Sequence, residues 1–249
     1  MTRAADILLT LMNENGVSPG KSLPALLCED ARRRLPVMGV GITLVDADGL
    51  VTRAAASDAG SSSLEDLQLD LGEGPAVEAV RFERLVMVPD LSAVTPDRWP
   101  AYTPAALDRG VCAVMAYPLR IGGIHLGVLS LYRSDAGALD DADLALALHY
   151  ADAAVLVLLH LQSLTNHGAR AEPAASSVDG LPPIDTALEV AFQGQPEVHQ
   201  ATGMVSAQLR VDLKEALLLL RARAFAEGVP VLEVARAVVD RRMSLDDRA

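Results

Sequence analysis

The sequence predicts an α+β domain, an antiparallel sheet flanked by helices, followed by a small all-α domain of three helices. Two pairs of adjacent strand patterns, over 37–57 and 111–133, have the short connections of hairpins. Helical patterns separate them without the regular strand–helix–strand alternation of a parallel sheet. A segment rich in Pro, Gly, Ser and Ala at 166–183 then divides this part of the chain from three short helical patterns.

Composition and charge bound what the chain can do. Hydrophobic residues make up 51% of the 249 positions and aromatic residues only 3%, so the core must consist mostly of Leu, Val and Ala. The net charge of −12 argues against a protein that binds nucleic acid or acidic membranes through bulk charge. Residues 196–249 hold eight basic and eight acidic side chains, so the whole acidic surplus lies in residues 1–195. This asymmetry indicates two domains with different tasks.

Cysteine usage and the apolar segments favour the cytoplasm. The two cysteines, Cys28 and Cys112, exclude a disulfide framework and a cysteine-rich zinc site. The N-terminal segment lacks the layout of a signal peptide. The most apolar stretch, 142–161, contains two aspartates and two histidines. We therefore interpret it as a buried or dimer-facing helix rather than a membrane span, and we expect a cytoplasmic protein with no membrane partner.

Two helices and a hairpin open the chain. Apolar residues at helical spacing predict the first helix, and Ser22 as N-cap with Pro24 in the first turn predicts the second. The β-rich run VMGVGITLVD, the turn DADG and the run LVTRAAAS predict the first hairpin. The predicted elements are helices over 3–14 and 22–35, strands over 37–46 and 50–57, and a turn over 46–49.

The middle of the chain combines loops with short elements. A polar, serine-rich piece at 57–63 predicts no helix or strand, and LGEGPAVEAVRFER at 71–84 predicts a loop that enters a helix at Pro75. LVMVPDL at 85–91 predicts a short strand, and AALDRG predicts a helix that ends at Gly110. One helix is thus expected between the first hairpin and the next strand.

The clearest hairpin and the longest helix follow. The sequence VCAVMAYPLRIGGIHLGVLSLYR has two strand patterns that flank Gly122-Gly123, a pair that tolerates the positive φ of a tight turn. Residues 139–164 form a long apolar helical pattern with an acidic first turn, which suits the positive end of a helix. The predicted division of the chain is a domain over 1–165, a linker over 166–183 and a domain over 184–249.

Three short helices are predicted in the last domain. The first covers 197–210 and has Gly203 in its middle, which costs roughly 1 kcal/mol relative to alanine. The second runs from an N-cap at Asp212 to a stop at Gly228, and Pro230 opens the third. Alanines on the inward faces let such helices approach closely, yet about fifty residues make a marginal core.

Motifs in this last domain match a known family. QATGM, EAL, LRARA and VLEVARAVV follow one another through the three predicted helices. With this spacing, residues 196–242 resemble the ANTAR domain, a three-helix module of bacterial transcription antiterminators. The positions that match the family pattern are Gln200, Ala201, Gly203, Glu215, Ala216, Leu220, Arg221, Ala224, Val234, Ala235 and Val238.

The first domain carries a second resemblance. GEGPAVEA, VPDL, RWPAY and YPLRIGGIHLGVLSLYR are similar to segments of actinobacterial proteins that combine a GAF with an ANTAR domain. Residues 1–165 thus resemble a GAF domain, a ligand-sensing relative of the PAS fold. The resemblance implies a small-molecule ligand of unknown identity, for which Trp99, Tyr102 and Cys112 are the candidate contacts.

The ANTAR resemblance implies that the chain binds RNA and regulates transcription. The known targets of the family are paired short stem-loops in nascent transcripts, and their binding prevents a terminator hairpin from forming. Gly203 would leave room for RNA or for a neighbouring helix, and both alternatives stay open. The candidate RNA-binding residues are Gln200, Ala201, Thr202, Gly203, Arg210, Lys214, Arg221 and Arg223, with Arg241 and Arg242 as further basic side chains.

Three departures from the family pattern support a second hypothesis. The family commonly has Lys at the position of Thr202, a basic residue near Gln208 and an aromatic at Leu217. The missing charges weaken phosphate contacts, and the missing aromatic is either a core change or a lost stacking platform. The alternative function is a sensor and dimerisation protein whose helical tail contacts protein. In that case Arg221 and Arg223 lie on a solvated face and pair with neighbouring glutamates.

Several features of the first domain have two interpretations. The helix start in GEGPAVEA either holds an anion with its unpaired N–H groups or is an ordinary helix start, which we favour because Glu73 would repel an anion. Trp99 and Tyr102 either cover a ligand pocket or pack a long loop. Cys112 is either a redox sensor or an ordinary buried cysteine.

Enzyme and metal chemistry find little support. His149, Asp152 and His160 lie on the long helix and His125 in a hairpin strand, without a ligand spacing such as HExxH. No nucleophile elbow, P-loop or dinucleotide fingerprint occurs. We therefore expect no enzyme, no metal site and no cofactor.

Surplus apolar residues on two helices predict self-association. The helix at 3–14 and the long helix at 141–164 carry more Leu, Val and Ala than one domain face needs. We expect them to pair across a two-fold axis in a homodimer.

Overall fold

The computed structural model describes residues 4–15, 21–45, 51–168 and 196–245. It contains a five-stranded antiparallel sheet flanked by helices, followed by a bundle of three helices, and the predicted fold class is confirmed. The strands are β1 (Gly39–Val45), β2 (Val51–Ala56), β3 (Val86–Val88), β4 (Ala113–Ile121) and β5 (Ile124–Arg133). The helices are α1 (Ala4–Asn15), α2 (Leu23–Arg34), α3 (Ala59–Leu71), α4 (Pro75–Phe82), α5 (Tyr102–Leu107), α6 (Asp141–Gly168), α7 (Pro196–Leu209), α8 (Leu213–Glu227) and α9 (Val231–Val239).

Both predicted hairpins are present, and they meet at the centre of the sheet. The strand order is β2-β1-β5-β4-β3, and each neighbouring pair is antiparallel. Gly122 has a φ of 57° in the turn between β4 and β5, a conformation that favours glycine. The predicted turn over 46–49 lies outside the described residues.

Helix α3 covers the serine-rich piece for which the sequence predicts no regular element, so that prediction is wrong. The carboxylate of Asp58 caps the helix by accepting the backbone N–H of Ser61 at 2.8 Å. Gly72 ends it in the left-handed conformation, with a φ of 67°. Both caps are local signals that outweigh the weak helix propensity of three consecutive serines. Two helices therefore lie between the first hairpin and β3, where one was expected.

The sheet separates two apolar layers. Helices α1, α2 and α6 pack on one face, and α3, α4 and α5 pack on the other. The first layer includes Ile7, Leu11, Leu27, Ile42, Leu129, Leu131 and Tyr150, and the second includes Leu64, Ala79, Val88, Trp99, Tyr102, Val114 and Tyr132.

The long helix α6 is part of the first layer. By length and composition alone, Asp141–Leu161 is apolar enough to cross a membrane. Its inner face belongs to the core, however, and the Tyr150 hydroxyl donates to Asp30 of α2 at 2.6 Å. This packing is that of a core helix. The helix continues to Gly168, three residues into the predicted linker, and the remainder of the linker lies outside the described residues.

The last three helices enclose a small core of their own. As predicted, Asp212 caps α8 by accepting the N–H of Glu215 at 2.8 Å, and Gly228 ends the helix with a φ of 68°. The core of this bundle is built from small and branched side chains, so the helices lie close together. Its buried residues are Ala201, Val205, Ala216, Leu220, Ala224, Val231, Val234, Ala235 and Val238.

Because β1 and β5 lie close together, we predict that a side chain at Gly127 destabilises the fold. A Cβ atom on Gly127 would lie 2.0 Å from the carbonyl oxygen of Thr43, a backbone atom that cannot move without breaking the strand pair. We expect Gly127→Ala to lower the free energy of unfolding by on the order of 1–3 kcal/mol, measured by urea denaturation. Gly123→Ala is the matched control, because no atom lies within 4 Å of its Cβ position. Equal losses for the two variants would contradict the prediction.

Candidate functional site

Four polar residues meet in the interior of the sheet domain, and we call them the buried polar cluster: Glu65 and Gln68 of α3, Tyr102 of α5 and Tyr132 of β5. Each side chain is at most 1% exposed. The Tyr132 hydroxyl donates to Glu65 Oε1 at 2.5 Å, and Gln68 Nε2 donates to the Tyr132 oxygen at 2.8 Å. Helix α3 thus presents a carboxyl and an amide to the sheet at i, i+3 spacing.

Glycines in β1 make room for these side chains. A Cβ atom on Gly41 would lie 2.3 Å from Glu65 Oε1, and one on Gly39 would lie 2.1 Å from Ser61 Oγ. Side chains at these two positions would therefore hold α3 away from the strand. The absence of both Cβ atoms lets the helix lie directly on β1.

Burial controls the charge of the cluster. It raises the pKa of Glu65 to about 7, although the hydrogen bond from Tyr132 acts in the opposite direction. Burial and the neighbouring Glu65 carboxyl also raise the pKa of both Tyr102 and Tyr132. Glu65 therefore changes its protonation near neutral pH, while both phenols stay neutral.

The cluster has unused hydrogen-bonding capacity. Among the described residues, Glu65 Oε2 and the Tyr102 hydroxyl have no hydrogen-bond partner although both atoms are buried. Unsatisfied buried polar atoms are uncommon in folded proteins and call for a partner such as a ligand or a water molecule. These two atoms are therefore candidate contacts for a small polar group.

Of the three predicted ligand contacts, one belongs to the buried polar cluster and two lie outside it. Tyr102 belongs to the cluster, and the Trp99 ring meets the Tyr102 ring edge-on at 5.9 Å between centroids. Trp99 is itself buried, so this pair packs the core beneath the loop. Cys112 is half-buried, and its backbone pairs with Arg133 and Leu91.

Sequence reasoning missed Glu65, Gln68 and Tyr132. Because 57–63 predicted no helix, the i, i+3 pair on α3 was not recognised. A usable signal was present, since the two glycines of GVG in β1 mark a strand face that another element approaches closely.

The helix start in GEGPAVEA is an ordinary helix start, the interpretation that we favoured. The Gln68 side chain accepts the backbone N–H of Ala76 at 2.7 Å, in the first turn of α4. The Glu73 carboxylate accepts the N–H groups of Ala101 and Tyr102, both at 2.7 Å. A donor that an anion would need is therefore already bound, and Glu73 joins this loop to the start of α5.

The histidines show no metal arrangement. His125 pairs with Glu83 at 3.2 Å on the sheet surface, His149 is half-buried and His160 is exposed. Over the described ranges, no group of three or more His, Cys, Asp or Glu side chains is placed to hold a metal ion.

In the helical bundle, the candidate RNA-binding residues fall into exposed and buried groups. Ala201 and Thr202 are fully buried, and the Thr202 hydroxyl donates to the Val198 carbonyl at 2.7 Å. Their side chains therefore pack within the bundle. The exposed candidates are Gln200, Gly203, Arg210, Lys214 and Arg223.

Two features of the bundle bear on alternatives that the sequence leaves open. No described atom lies within 4 Å of a Cβ built on Gly203, so no neighbouring helix occupies that face. Leu217, where the family has an aromatic, is 8% exposed but does not belong to the core of the bundle, so its side chain is buried outside that core.

The arginines of α8 have partners in this structure. Arg223 pairs with Glu227 at 2.6 Å, as the solvated-face interpretation expects. Arg221 instead contacts the sheet domain: its Nε donates to the Leu69 carbonyl, in the last turn of α3, at 2.8 Å. A second contact joins the domains, because Asp70 Oδ1 accepts the N–H of Val231 at 3.3 Å.

The raised pKa of Glu65 predicts how the stability of the folded chain depends on pH. Its pKa in the folded chain, about 7, lies above the ordinary value of 4.5. The chain therefore loses stability as the pH rises from 4.5 to 7, and it stays less stable above pH 7. We expect Glu65→Gln to remove this loss and to be more stable than the wild type at pH 8 by on the order of 2–3 kcal/mol. Urea denaturation at pH 5 and 8 measures the free energy of unfolding of both proteins, and Asp135→Asn, at an exposed position, is the control. If Glu65→Gln has the same pH dependence of stability as the wild type, the prediction is contradicted.

Comparison with known proteins places both domains in families. The family model of the GAF domain matches residues 23–158, and that of the ANTAR domain matches residues 186–239. No curated protein sequence matches the chain.

A solved structure shows the same fold in the first domain, and a second solved structure is similar to this chain. The GAF domain of a phosphoenolpyruvate-protein phosphotransferase from Coxiella burnetii is 18% identical, with a TM-score of 0.50, covering 67% of this chain and 97% of that one. A GAF domain of the corresponding Acinetobacter protein is 15% identical, with a TM-score of 0.48, covering 67% of this chain and 99% of that one.

GAF domains are ligand sensors, and ANTAR domains are RNA-binding regulators of transcription antitermination. Domains of both kinds are generally non-enzymatic. The GAF match covers more than half of the 249 residues, and the ANTAR match follows it along the chain. The chain therefore belongs to the GAF domain family and has the domain arrangement of a GAF plus ANTAR regulator.

Proposed function

We propose that this chain is a cytoplasmic, non-enzymatic regulator whose ANTAR domain binds RNA stem-loops in nascent transcripts and whose GAF domain controls that binding. In the proposal, RNA binding prevents a terminator hairpin from forming. The observation that carries it is the contact between Arg221 of the ANTAR domain and the end of α3 in the GAF domain.

The end of α3 and an RNA phosphate compete for the same guanidinium. The last carbonyls of a helix lack partners within the helix and bear the negative end of its dipole. Arg221 satisfies the Leu69 carbonyl, and its Nη1 lies 2.9 Å from the Cβ position of Gly72, so a side chain at Gly72 would require the guanidinium to shift. Because the side chain is half-buried here and its Nε is already bound, a phosphate gains full access to the guanidinium only when the contact opens.

The same helix connects the sensor interior to this contact. Glu65 and Gln68 of α3 belong to the buried polar cluster, and Leu69 and Asp70 follow directly and face the ANTAR domain. We infer that a small molecule which binds Glu65 Oε2 and the Tyr102 hydroxyl, without a metal or covalent link, shifts α3. A small movement of this helix changes both interdomain hydrogen bonds.

The open surface of the ANTAR domain is suited to RNA. Within the described ranges, the exposed side chains of Arg210 and Lys214 have no ion-pair partner. The face around Gly203 carries no neighbouring element. Unpaired cations beside an unobstructed helix face supply the phosphate contacts and the close approach that a stem-loop needs.

A protein-contacting tail is the second candidate function. Leu218 and Phe225 of α8 are 63% and 76% exposed, which is unusual for large apolar side chains. The equal numbers of basic and acidic residues over 196–249 also favour a protein partner over RNA. RNA titration separates the two hypotheses.

We further propose that the chain is a homodimer formed through α1 and α6. Leu9 and Met12 of α1 are each 63% exposed, and Leu148 and Leu156 of α6 are 47% and 45% exposed. The two helices pack against each other, and a second copy that covers these four side chains would remove them from water.

Charge reversal at Asp70 tests control by the GAF domain. Asp70→Lys removes the acceptor of the Val231 N–H and repels Arg221, so we expect roughly tenfold tighter binding of hairpin RNA by the full chain. Fluorescence anisotropy with RNA hairpins recovered by crosslinking from native cells measures it. Exposed Asp135→Lys brings the same change of net charge to the GAF domain; an equal gain for both variants would reduce the effect to bulk charge.

Removal of the Arg221 guanidinium tests whether this side chain contacts RNA. Arg221→Ala opens the same interdomain contact but removes the guanidinium. We therefore expect weaker RNA binding and a salt dependence that falls by about one phosphate contact. Exposed Arg109→Ala in the GAF domain is the control. If the wild-type chain binds hairpins no better than unstructured RNA, the antitermination proposal is contradicted and the hypothesis of a protein-contacting tail takes its place.

Acidic substitutions on α6 test the dimer. We expect Leu148→Glu combined with Leu156→Glu to convert a dimer into a monomer, because burial of two carboxylates in an apolar interface is unfavourable. Light scattering at micromolar concentration measures the mass, and Leu218→Glu on α8 should leave it unchanged. A stable wild-type monomer would contradict the proposal.

A further inference from the structure

The ANTAR domain contains a cavity that none of the functions above uses. It lies between the second half of α7 and the segment that follows α9, and its volume is about 380 Å³. Its lining includes Met204, Gln208, Val238, Arg241, Arg242 and Met243. We call it the α7–α9 pocket.

The lining has an apolar floor and a polar rim. Val238 is buried, and Met204 and Met243 are half-buried, whereas Gln208, Arg241 and Arg242 are exposed. An apolar, polarisable floor accepts the face of a flat ring, and the rim supplies an amide and two guanidinium groups. In RNA recognition, unstacked bases are held by this combination of packing on the ring face and hydrogen bonds along the ring edge.

Arg241 has a backbone conformation that favours glycine. Its φ is 57°, in the left-handed region, just after the end of α9. A glycine would adopt this conformation without strain, so the arginine side chain is retained at a position where the backbone disfavours it. Glu83 and Arg210 share this conformation, with φ values of 54° and 56°, so the side chain of Arg241 and not its backbone carries the argument that follows.

The two rim arginines differ in their ion pairs. Arg242 pairs with Asp240 at 2.9 Å, which neutralises it and holds it at the rim. No carboxylate within the described ranges forms an ion pair with Arg241. Arg241 therefore has its full charge available for a phosphate.

We propose that the α7–α9 pocket binds one unpaired purine of an RNA loop, with the base on the methionine floor, its edge at Gln208 and its phosphate at Arg241. A glutamine amide offers a donor and an acceptor side by side, which matches the edge of adenine. The proposal rests on the RNA-binding function proposed above and deepens it, because it adds base recognition to the phosphate contacts of Arg210, Lys214 and Arg221.

Two variants test the pocket in the full chain, with and without Asp70→Lys. Arg241→Gly keeps the backbone conformation and removes the guanidinium, and Gln208→Ala shortens an exposed side chain. We expect each to weaken hairpin binding roughly tenfold, while the thermal midpoint of Arg241→Gly stays equal or rises. Glu83→Gly is the matched control: Glu83 also has a left-handed φ, 54°, but lies in the GAF domain, so it should leave RNA binding unchanged.

A series of RNA hairpins, each altered at one loop position, identifies the base that the pocket binds. Hairpins with one stem and one loop sequence carry an abasic site at each loop purine in turn. We expect one abasic position to weaken wild-type binding and to weaken the binding of Gln208→Ala by a smaller factor, because that variant has already lost the contact with the edge of the base. A 2-aminopurine at that position should change its fluorescence on binding to the wild type, because its ring packs on the methionine floor.

The outcomes separate the pocket from the proposed function. Hairpin binding that is unchanged in both variants, or in every abasic probe, would keep the RNA-binding function and overturn the pocket. Occupation of the pocket by free adenosine monophosphate without loss of hairpin binding would assign it to a free nucleotide and also overturn the proposal. Absence of hairpin binding by the wild type and by Asp70→Lys would remove both the function and the pocket, and would favour a protein partner.

Discussion

Helix α3 lies directly on strand β1 because Gly39 and Gly41 have no side chains to hold it away. The contact forces Glu65 and Gln68 into the interior, where Tyr132 supplies the hydroxyl that both of them contact. Gln68 in turn accepts an N–H in the first turn of α4. The proposed ligand site, the start of α4 and the interdomain contact at the end of α3 therefore all depend on this one helix–strand approach.

A buried carboxyl at this point is unfavourable for stability and useful for sensing. Desolvation raises the pKa of Glu65 to about 7, so the folded chain carries a polar group that its own residues do not fully satisfy. A ligand that completes these hydrogen bonds binds the folded state alone and stabilises it. In the proposed function, because the group belongs to a helix rather than a loop, a movement of this group would be transmitted along a rigid element to Leu69 and Asp70.

The ANTAR bundle differs from the sheet domain because its core is small. Its core consists of nine buried residues, four of them alanine, and such a core offers little stability by itself. The contacts of Arg221 and Val231 with α3 therefore matter for its position as well as its accessibility. Its exposed surface combines unpaired cations, the open face at Gly203 and a pocket with an arginine rim, so the features proposed to bind RNA lie apart from the core.

Local spacing and turn or cap chemistry are enough to predict the fold class, the hairpins, the caps at Ser22, Asp212 and Gly228, and both family resemblances. The position of helix α3, which a run of serines concealed, becomes visible only in the folded chain, and with it the cluster of Glu65, Gln68 and Tyr132. Gln68 and Tyr132 are 64 residues apart in the chain, and Arg221 lies 152 residues from Leu69. Contacts over such separations depend on how helices dock on a sheet and on one another, and no local sequence pattern records that docking.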